Sequence, residues 1–368
     1  VSRIGVAPGP ALSTLLFVPG ILYGGAVRLR NRLYDRHLLP IRPLPCPAVS
    51  VGNLTVGGTG KTPLASHVAA VLLESGYRTG VISRGYRRLG GEAPLLVSDG
   101  RSLLADVAHA GDEPYLIARD NPSAGVAVGA DRLAAAHLLA AACRPEALVL
   151  DDAFQHRRVE RFLDLLVIDA ADPWGNGRML PFGPLREPMA AMSRAGAVVI
   201  TRGNGHCPPA IRQVLDRHNP RVPLFHARIA ARRFVGFDGA AIDLLALKGF
   251  SAYAFSGIAR PDRFEAELTS LGVRLCGTRR FPDHHPFREA DLSGLAAEAR
   301  RTGAEVLVTT EKDLVRIATP IEGAPPLFAL ALGVDFPHGP GLNQLLLDGV
   351  AGKLGPRPTG APQAGSRT

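Results

Sequence analysis

Along residues 46–222, short uninterrupted apolar runs alternate with segments whose apolar positions recur every three to four residues. The runs are PAVSVGNL (47–54), RTGVISRG (78–85), GVAVG (125–129), EALVLDD (146–152), LDLLVIDA (163–170) and GAVVITR (196–202). Apolar runs without polar alternation suit strands covered on both faces. Between them, TPLASHVAAVLLESG (62–76) and DRLAAAHLLAAAC (131–143) carry helical spacing, and the first ends at Gly76. Strands alternating with helices predict an α/β fold with a doubly wound, mainly parallel sheet.

A second series follows residue 222: LFHARIAARRFVGF, FSAYAFSGI, GVRLCGTRRF, AEVLVTT and PLFALAL. It predicts a smaller α/β domain over 223–345. The remaining residues, 346–368, finish in AGKLGPRPTGAPQAGSRT, whose Pro, Gly and polar content predicts a disordered tail.

Residues 1–45 form a separate N-terminal segment. Its apolar stretch ALSTLLFVPGILYGGAV (11–27) is interrupted by Pro19-Gly20 and Gly24-Gly25 and is marginal for a membrane span. Arg28, Arg30, Arg32 and Arg36 follow the apolar stretch, whereas a secretory signal has its positive charge first. Leu15, Leu22, Leu29 and Leu33 fall near one helical line with arginines beside it. That pattern predicts a helix lying in the headgroup region of a membrane, or else a helix hairpin packed on the domain.

Composition narrows the partners. Hydrophobic residues make up 46% and charged residues 20%, as in a globular protein. The formal charge of +9 leaves nucleic acid, an anionic membrane or a phosphorylated substrate open. Aromatic content is 6% and no basic run is interleaved with aromatics, which argues against nucleic acid. Lysine occurs only at Lys61, Lys248, Lys312 and Lys353, so a lysine inside a glycine-rich loop is informative. Cys46, Cys143, Cys207 and Cys276 show neither CxxC nor His/Cys ligand spacing, and are expected to be reduced and mostly buried.

That glycine-rich loop is TVGGTGKT: Thr55, Val56, Gly57, Gly58, Thr59, Gly60, Lys61 and Thr62. Lying between a strand and a helix, it predicts a P-loop binding ATP. Backbone N–H groups and the helix N-terminus would meet phosphate, Lys61 the β- and γ-phosphates, and Thr62 a Mg²⁺ ion. Thr55 departs from the general pattern, which asks for glycine there. Asp151 and Asp152 end a strand, where a carboxylate would hold that Mg²⁺.

Asp112 and Glu113 open a helix as a cap, or else supply a carboxylate that accepts a hydroxyl proton. In FPDHHPF, Asp283, His284 and His285 suit either a tuned proton shuttle or a structural turn. SRGYRR (83–88) offers Arg84, Arg87 and Arg88 to phosphate, and LPFGPLREP (180–188) holds Arg186 and Glu187 in a rigid loop. TTEKD (309–313) lacks the asparagine of a guanine-reading motif, so GTP is discounted.

VGNLTVGGTGKTP, SRGYRR, GDEP, LDDAFQHR, LPFGPLREP, FSGIARPDRF, FPDHHPF and VTTEKD stand in the order and spacing of one family. The chain resembles the tetraacyldisaccharide 4'-kinases of lipid A biosynthesis from about residue 11 to 335. That family's loop also carries threonine at position 55. Phe182 stands where the family usually has a small residue in the LPxGPLREP loop.

The resemblance implies an ATP- and Mg²⁺-dependent kinase. It would phosphorylate the 4'-hydroxyl of a tetraacyldisaccharide 1-phosphate to give lipid IVA, at the cytoplasmic face of the bacterial inner membrane. It further implies a P-loop NTPase-like core and a membrane-docking N-terminal helix. Asp112 would act as base, paired with a histidine of the DHH segment, which we assign as His284. Asp151 and Asp152 would serve the metal, and Gln155 and His156 the active site. Tyr86, Arg132, Arg186 and Glu187 match positions around nucleotide or substrate. The chain is expected to act as a monomer. Two rivals remain at this point: a P-loop kinase of a soluble small molecule, and a membrane-associated ATPase switch.

Overall fold

The computed structural model describes residues 10–86, 88–203 and 205–354. Arg87 and residues 355–368 of the expected tail lie outside them, as do the side chains of residues 10–17, Leu15 included. The strands are β1 (Ala48–Gly52), β2 (Thr79–Ser83), β3 (Leu95–Asp99), β4 (Gly125–Val128), β5 (Ala147–Asp151), β6 (Leu163–Asp169), β7 (Ala197–Thr201), β8 (Leu224–Gly236), β9 (Ala241–Ile242), β10 (Ser251–Ser256), β11 (Arg274–Arg280), β12 (Val306–Thr310) and β13 (Leu327–Asp335). They form one sheet in the order β11-β10-β12-β13-β8-β7-β6-β1-β5-β2-β4-β3, with β9 paired to β8. All pairs are parallel except β3/β4, β8/β13 and β8/β9.

β1, β5 and β7 are buried along their whole length, which is why their sequences do not alternate. The helix Lys61–Glu74 follows β1 and buries Leu64, Ala65, Val68, Ala69 and Leu72 in a core shared with Val49, Val51 and Val149. Separate cores lie in the second half, one around Phe255, Leu295, Leu307 and Ala329, another around Phe234, Leu268, Val306 and Val308.

The expected boundary at residue 222 falls just before a strand used by both halves. Leu224–Ala227 of β8 pairs with β7 in parallel, whereas Arg228–Gly236 pairs with β13 antiparallel. Two elements depart from the sequence expectation. β3 is an antiparallel edge strand that the polar Ser98 and Asp99 concealed. The chain is also helical past residue 346: Gly341–Leu354 buries Leu342, Leu346 and Val350 against the core of the P-loop helix. That four-residue repeat is a helical stripe masked by nearby Gly and Pro.

The N-terminal helix, Pro10–Asp35, contains Pro19 and turns Gly20, Gly24, Val27 and Asn31 inward. A Cβ on Gly20 would stand 3.2 Å from the Phe182 Cβ, so this glycine permits the helix to cross the 180–188 loop closely. Val18, Ile21, Leu22 and Leu29 are exposed on the helix. Among the described residues no helix is long and apolar enough to cross a membrane.

Candidate active site

The P-loop leaves the C-terminal end of β1, and β5 lies beside it with Val51 in register with Asp151. Parallel neighbours about 4.8 Å apart therefore deliver the loop and the aspartates to one sheet edge. Gly57 and Gly60 have φ of +117° and +93°, which favours glycine. At Gly60 a Cβ would also fall 2.1 Å from Ile229 Cδ1, so β8 passes directly over the loop. The 180–188 loop runs alongside: Val56 N–H donates to the Pro184 carbonyl at 2.8 Å and Arg186 N–H to the Leu54 carbonyl at 2.7 Å.

Lys61 Nζ donates to the Gly57 carbonyl at 3.3 Å and lies 3.7 Å from Asp152 Oδ1. Burial lowers its pKa despite the nearby carboxylates. Thr62, next on the helix, is half-buried. Asp152 has a left-handed φ of +48°, and both its oxygens accept from Arg186 Nη1 at 2.8 Å. Burial acts to raise its pKa, but Lys61 and Arg186 outweigh it and hold Asp152 below the usual carboxylate value.

Asp151 behaves differently. Its Oδ2 accepts from the Ser83 hydroxyl at 3.1 Å, while Oδ1 is buried with no partner among the described residues. Burial, then Glu113 and Asp152, push its pKa up to about 7. An orphaned carboxylate oxygen beside a second carboxylate fits a hard divalent cation. No group of three or more His, Cys, Asp or Glu suited to a metal occurs among the described residues. That is consistent with Mg²⁺, which completes its shell with water and phosphate oxygens.

A second cluster of expected residues comes from distant segments. The helix Asp112–Asp120 begins with the two acidic residues. His284 Nδ1 donates to Asp112 Oδ2 at 2.8 Å, across 172 positions of sequence. Of the two adjacent histidines only His284 meets Asp112. His285 instead bonds Asp291 at 3.0 Å and stacks on Phe281. Asp283 lies 3.9 Å from His284 Nε2, and the exposed Tyr86 ring is 6.0 Å from the His284 ring. Burial works to raise the Asp112 pKa, but hydrogen bonds from His284 and Arg316 bring it down to about 2. Glu113 pairs with Lys312 at 2.5 Å, and its charge is also felt by Asp151 and Lys61.

The other expected residues have these surroundings. Arg132 is buried and donates to the Gly129 carbonyl at 2.7 Å, and burial drops its pKa to about 10. His156 is lowered to about 4, by burial first and then by Arg132 and Arg161, and its Nε2 has no partner among the described residues. Gln155 Nε2 donates to the Asn53 carbonyl at 2.8 Å, bracing the strand before the P-loop. Glu187 is fully buried between Arg30 of the N-terminal helix and Arg194, each 2.5 Å away. It anchors that helix rather than facing the P-loop.

Sequence reading overlooked Lys312, Asp313 and Arg316. Lys312 carried a usable signal as one of four lysines, within a motif weighed only for guanine. Arg316 carried none, being one arginine among many.

Comparison with known proteins shows the family. The profile of the Tetraacyldisaccharide-1-P 4'-kinase family matches residues 12–351. The chain is 39% identical over 366 residues to the tetraacyldisaccharide 4'-kinase of Anaeromyxobacter sp. (strain K), covering 97% of this chain and 96% of that protein. It is 40% identical to the enzyme of that name from Geobacter sulfurreducens, over 87% and 89% of the two chains. The crystal structure of "apo" form LpxK from Aquifex aeolicus in complex with ATP superposes with a TM-score of 0.74 at 31% identity, covering 92% of this chain and 99% of that one.

Proposed function

This chain belongs to the tetraacyldisaccharide-1-P 4'-kinase family, and from that premise we propose that it transfers the γ-phosphate of ATP to the 4'-hydroxyl of a tetraacyldisaccharide 1-phosphate, forming lipid IVA. The observation that carries this function is the placing of a P-loop lysine, a paired aspartate and a His284–Asp112 pair around Glu113, whose charge reaches Asp151, Lys61 and His284. A phosphate-gripping loop alone suits any NTPase. A half-buried Asp–His pair alongside it supplies what an attacking alcohol needs.

Residues 55–62 grip the triphosphate, with Lys61 leaving the Gly57 carbonyl for the β- and γ-phosphate oxygens. Thr62, Asp151 and Asp152 would hold Mg²⁺, whose charge would supply neutralisation at the transferring phosphoryl group. Asp112 orients the 4'-hydroxyl and receives its proton with His284 as that oxygen bonds to phosphorus, the β,γ-bridging bond breaks and ADP leaves. All donors to Asp112 among the described residues meet Oδ2, which leaves Oδ1 to accept from the incoming hydroxyl in this reading. A carboxylate held near pKa 2 is a weak base, so proton transfer comes late and positioning supplies most of the rate.

Val18, Ile21, Leu22 and Leu29 meet acyl chains at the cytoplasmic face of the inner membrane, and the exposed Arg28 and Arg32 meet lipid phosphates. The proposed boundaries place a docking helix before residue 46, the kinase core to 222, and a smaller unit beyond, with β8 common to the last two.

Incubation with γ-labelled ATP, Mg²⁺ and the disaccharide 1-phosphate lipid in detergent, followed by chromatography, should show label in the lipid. Unlabelled lipid from protein that still binds ATP would refute the activity. Equal labelling of the deacylated disaccharide would show that the substrate is soluble.

A further inference from the structure

Arg316 follows the short helix Glu311–Leu314, and its side chain is only 8% exposed. Its Nε donates to Asp112 Oδ2 at 2.9 Å and its Nη2 donates to the same oxygen. Nη2 also lies 3.3 Å from His284 Nδ1. The opposite edge of the guanidinium donates through Nη1 to Asp313 Oδ1 at 3.0 Å. Asp313 is itself fully buried, its Oδ2 accepting from Gly257 N–H at 3.1 Å and from the Thr310 hydroxyl at 2.7 Å. A planar cation is thus clamped between an anchored carboxylate of the second half and the carboxylate that faces the reacting hydroxyl. Such a fork transmits orientation as well as charge, because its donors are fixed in one plane.

We propose that Arg316 is a positioning residue for phosphoryl transfer, fixing the orientation and the negative charge of Asp112 relative to His284. The inference rests on the Asp112–His284 assignment made above. Charges reach Asp112 from three segments. His284 and Asp283 stand on the loop after β11, Lys312, Asp313 and Arg316 after β12, and Glu113 beside it on its own helix. Burial alone would raise the Asp112 pKa, and the donors from His284 and Arg316 reverse it. Removal of Arg316 leaves burial opposed by His284 and the charge of Lys312, without the direct guanidinium donors, so protonation of Asp112 moves up toward the working pH.

The test is a kinetic series on the full chain with the lipid substrate. Arg316→Gln should lower kcat by about 10- to 100-fold, leave KM for ATP within about twofold, and shift the acid limb of kcat upward by about one pH unit or more. Arg316→Lys keeps the charge without the fork and should recover most of kcat. In an Asp112→Asn background, Arg316→Gln should change single-turnover rates less than about twofold, because both act through one group. Wild-type kcat and acid limb in Arg316→Gln, or a full additional loss in the Asp112→Asn background, would overturn the inference. If Arg316→Gln does not fold, Arg316→Lys still decides: with the charge kept and the fork lost, the acid limb should stay near wild type while kcat falls about two- to threefold, and a kcat equal to wild type counts against the assignment. Asp112→Asn alone separates the two layers. Near-normal turnover there removes the dyad and this inference together, whereas an inactive Asp112→Asn with a normal Arg316→Gln removes Arg316 only.

Discussion

On the nucleotide side, Lys61, Thr62, Asp151 and Asp152 leave two neighbouring parallel strands, and most of the loop is eight consecutive residues. On the acceptor side, Asp112, His284 and Arg316 come from three segments separated by more than 170 positions from Asp112 and meet only because the second half packs on the helix Asp112–Asp120. The chemistry differs in the same way. Glycine backbone and a helix terminus do the work at the first site, and a web of ion pairs does it at the second. Arg316, Lys312 and Glu311 each pair with Asp112, Glu113 and Arg119 in turn, so one short stretch of the second half is laced to one helix of the first. Arg260 and Arg263 pair with Asp172 and Asp169 in a second contact between the same halves. A locally encoded site tolerates little change at its own residues, whereas the long-range one is open to perturbation from wherever the halves touch.

The largest break in that contrast comes from Lys61→Ala, which removes the only lysine able to reach the phosphates from within the loop. Turnover should drop about a thousandfold while the fold and the Asp112–His284 pair persist; near-normal kcat would take Lys61 out of the mechanism. Asp112→Asn comes next, with an expected loss of about 10²–10⁴ in kcat and ATP affinity nearly unchanged. Weakened ATP binding of the same size would instead merge the two sides into one site.

Glu187→Gln should act on stability alone. Weakening a buried pair costs about 3 kcal/mol, discounted here because Arg30 is itself 39% exposed. Melting should fall by several degrees with kcat per folded molecule unchanged, and a specific loss of kcat would return Glu187 to the substrate-facing residues.

The smallest effect belongs to the seam. Burial, then the like charge of Asp120, push Glu311 up to about 7, while Arg119 opposes them. A folded-state pKa above the unfolded 4.5 means that Glu311 supports folding fully below pH 4.5 and loses that support as pH rises through about 7. Glu311→Gln should therefore raise Tm by about 1–2 °C at pH 8 and by nothing near pH 4. A Tm gain that is constant with pH would show that repulsion between the carboxylates is not its cause.

Strand and helix order from β1 to β7, β3 apart, was legible because each element's burial writes its own period into the chain: both-face burial in β5 and β7, and a helical stripe after Gly60. The P-loop was legible for the same reason, since its geometry needs only adjacent residues of the right kind. β3 and the helix Gly341–Leu354 were obscured because edge polarity and flanking glycines dilute those periods.

What the chain determined alone, then, is the phosphate loop, the paired aspartates and the alternation of layers, all products of local stereochemistry. The tertiary structure decided which of two adjacent histidines meets Asp112, that Glu187 anchors a helix, and that Arg316 stands behind the dyad. The physical reason is that a charged side chain's partner is chosen by burial and distance, and neither is a property of sequence spacing.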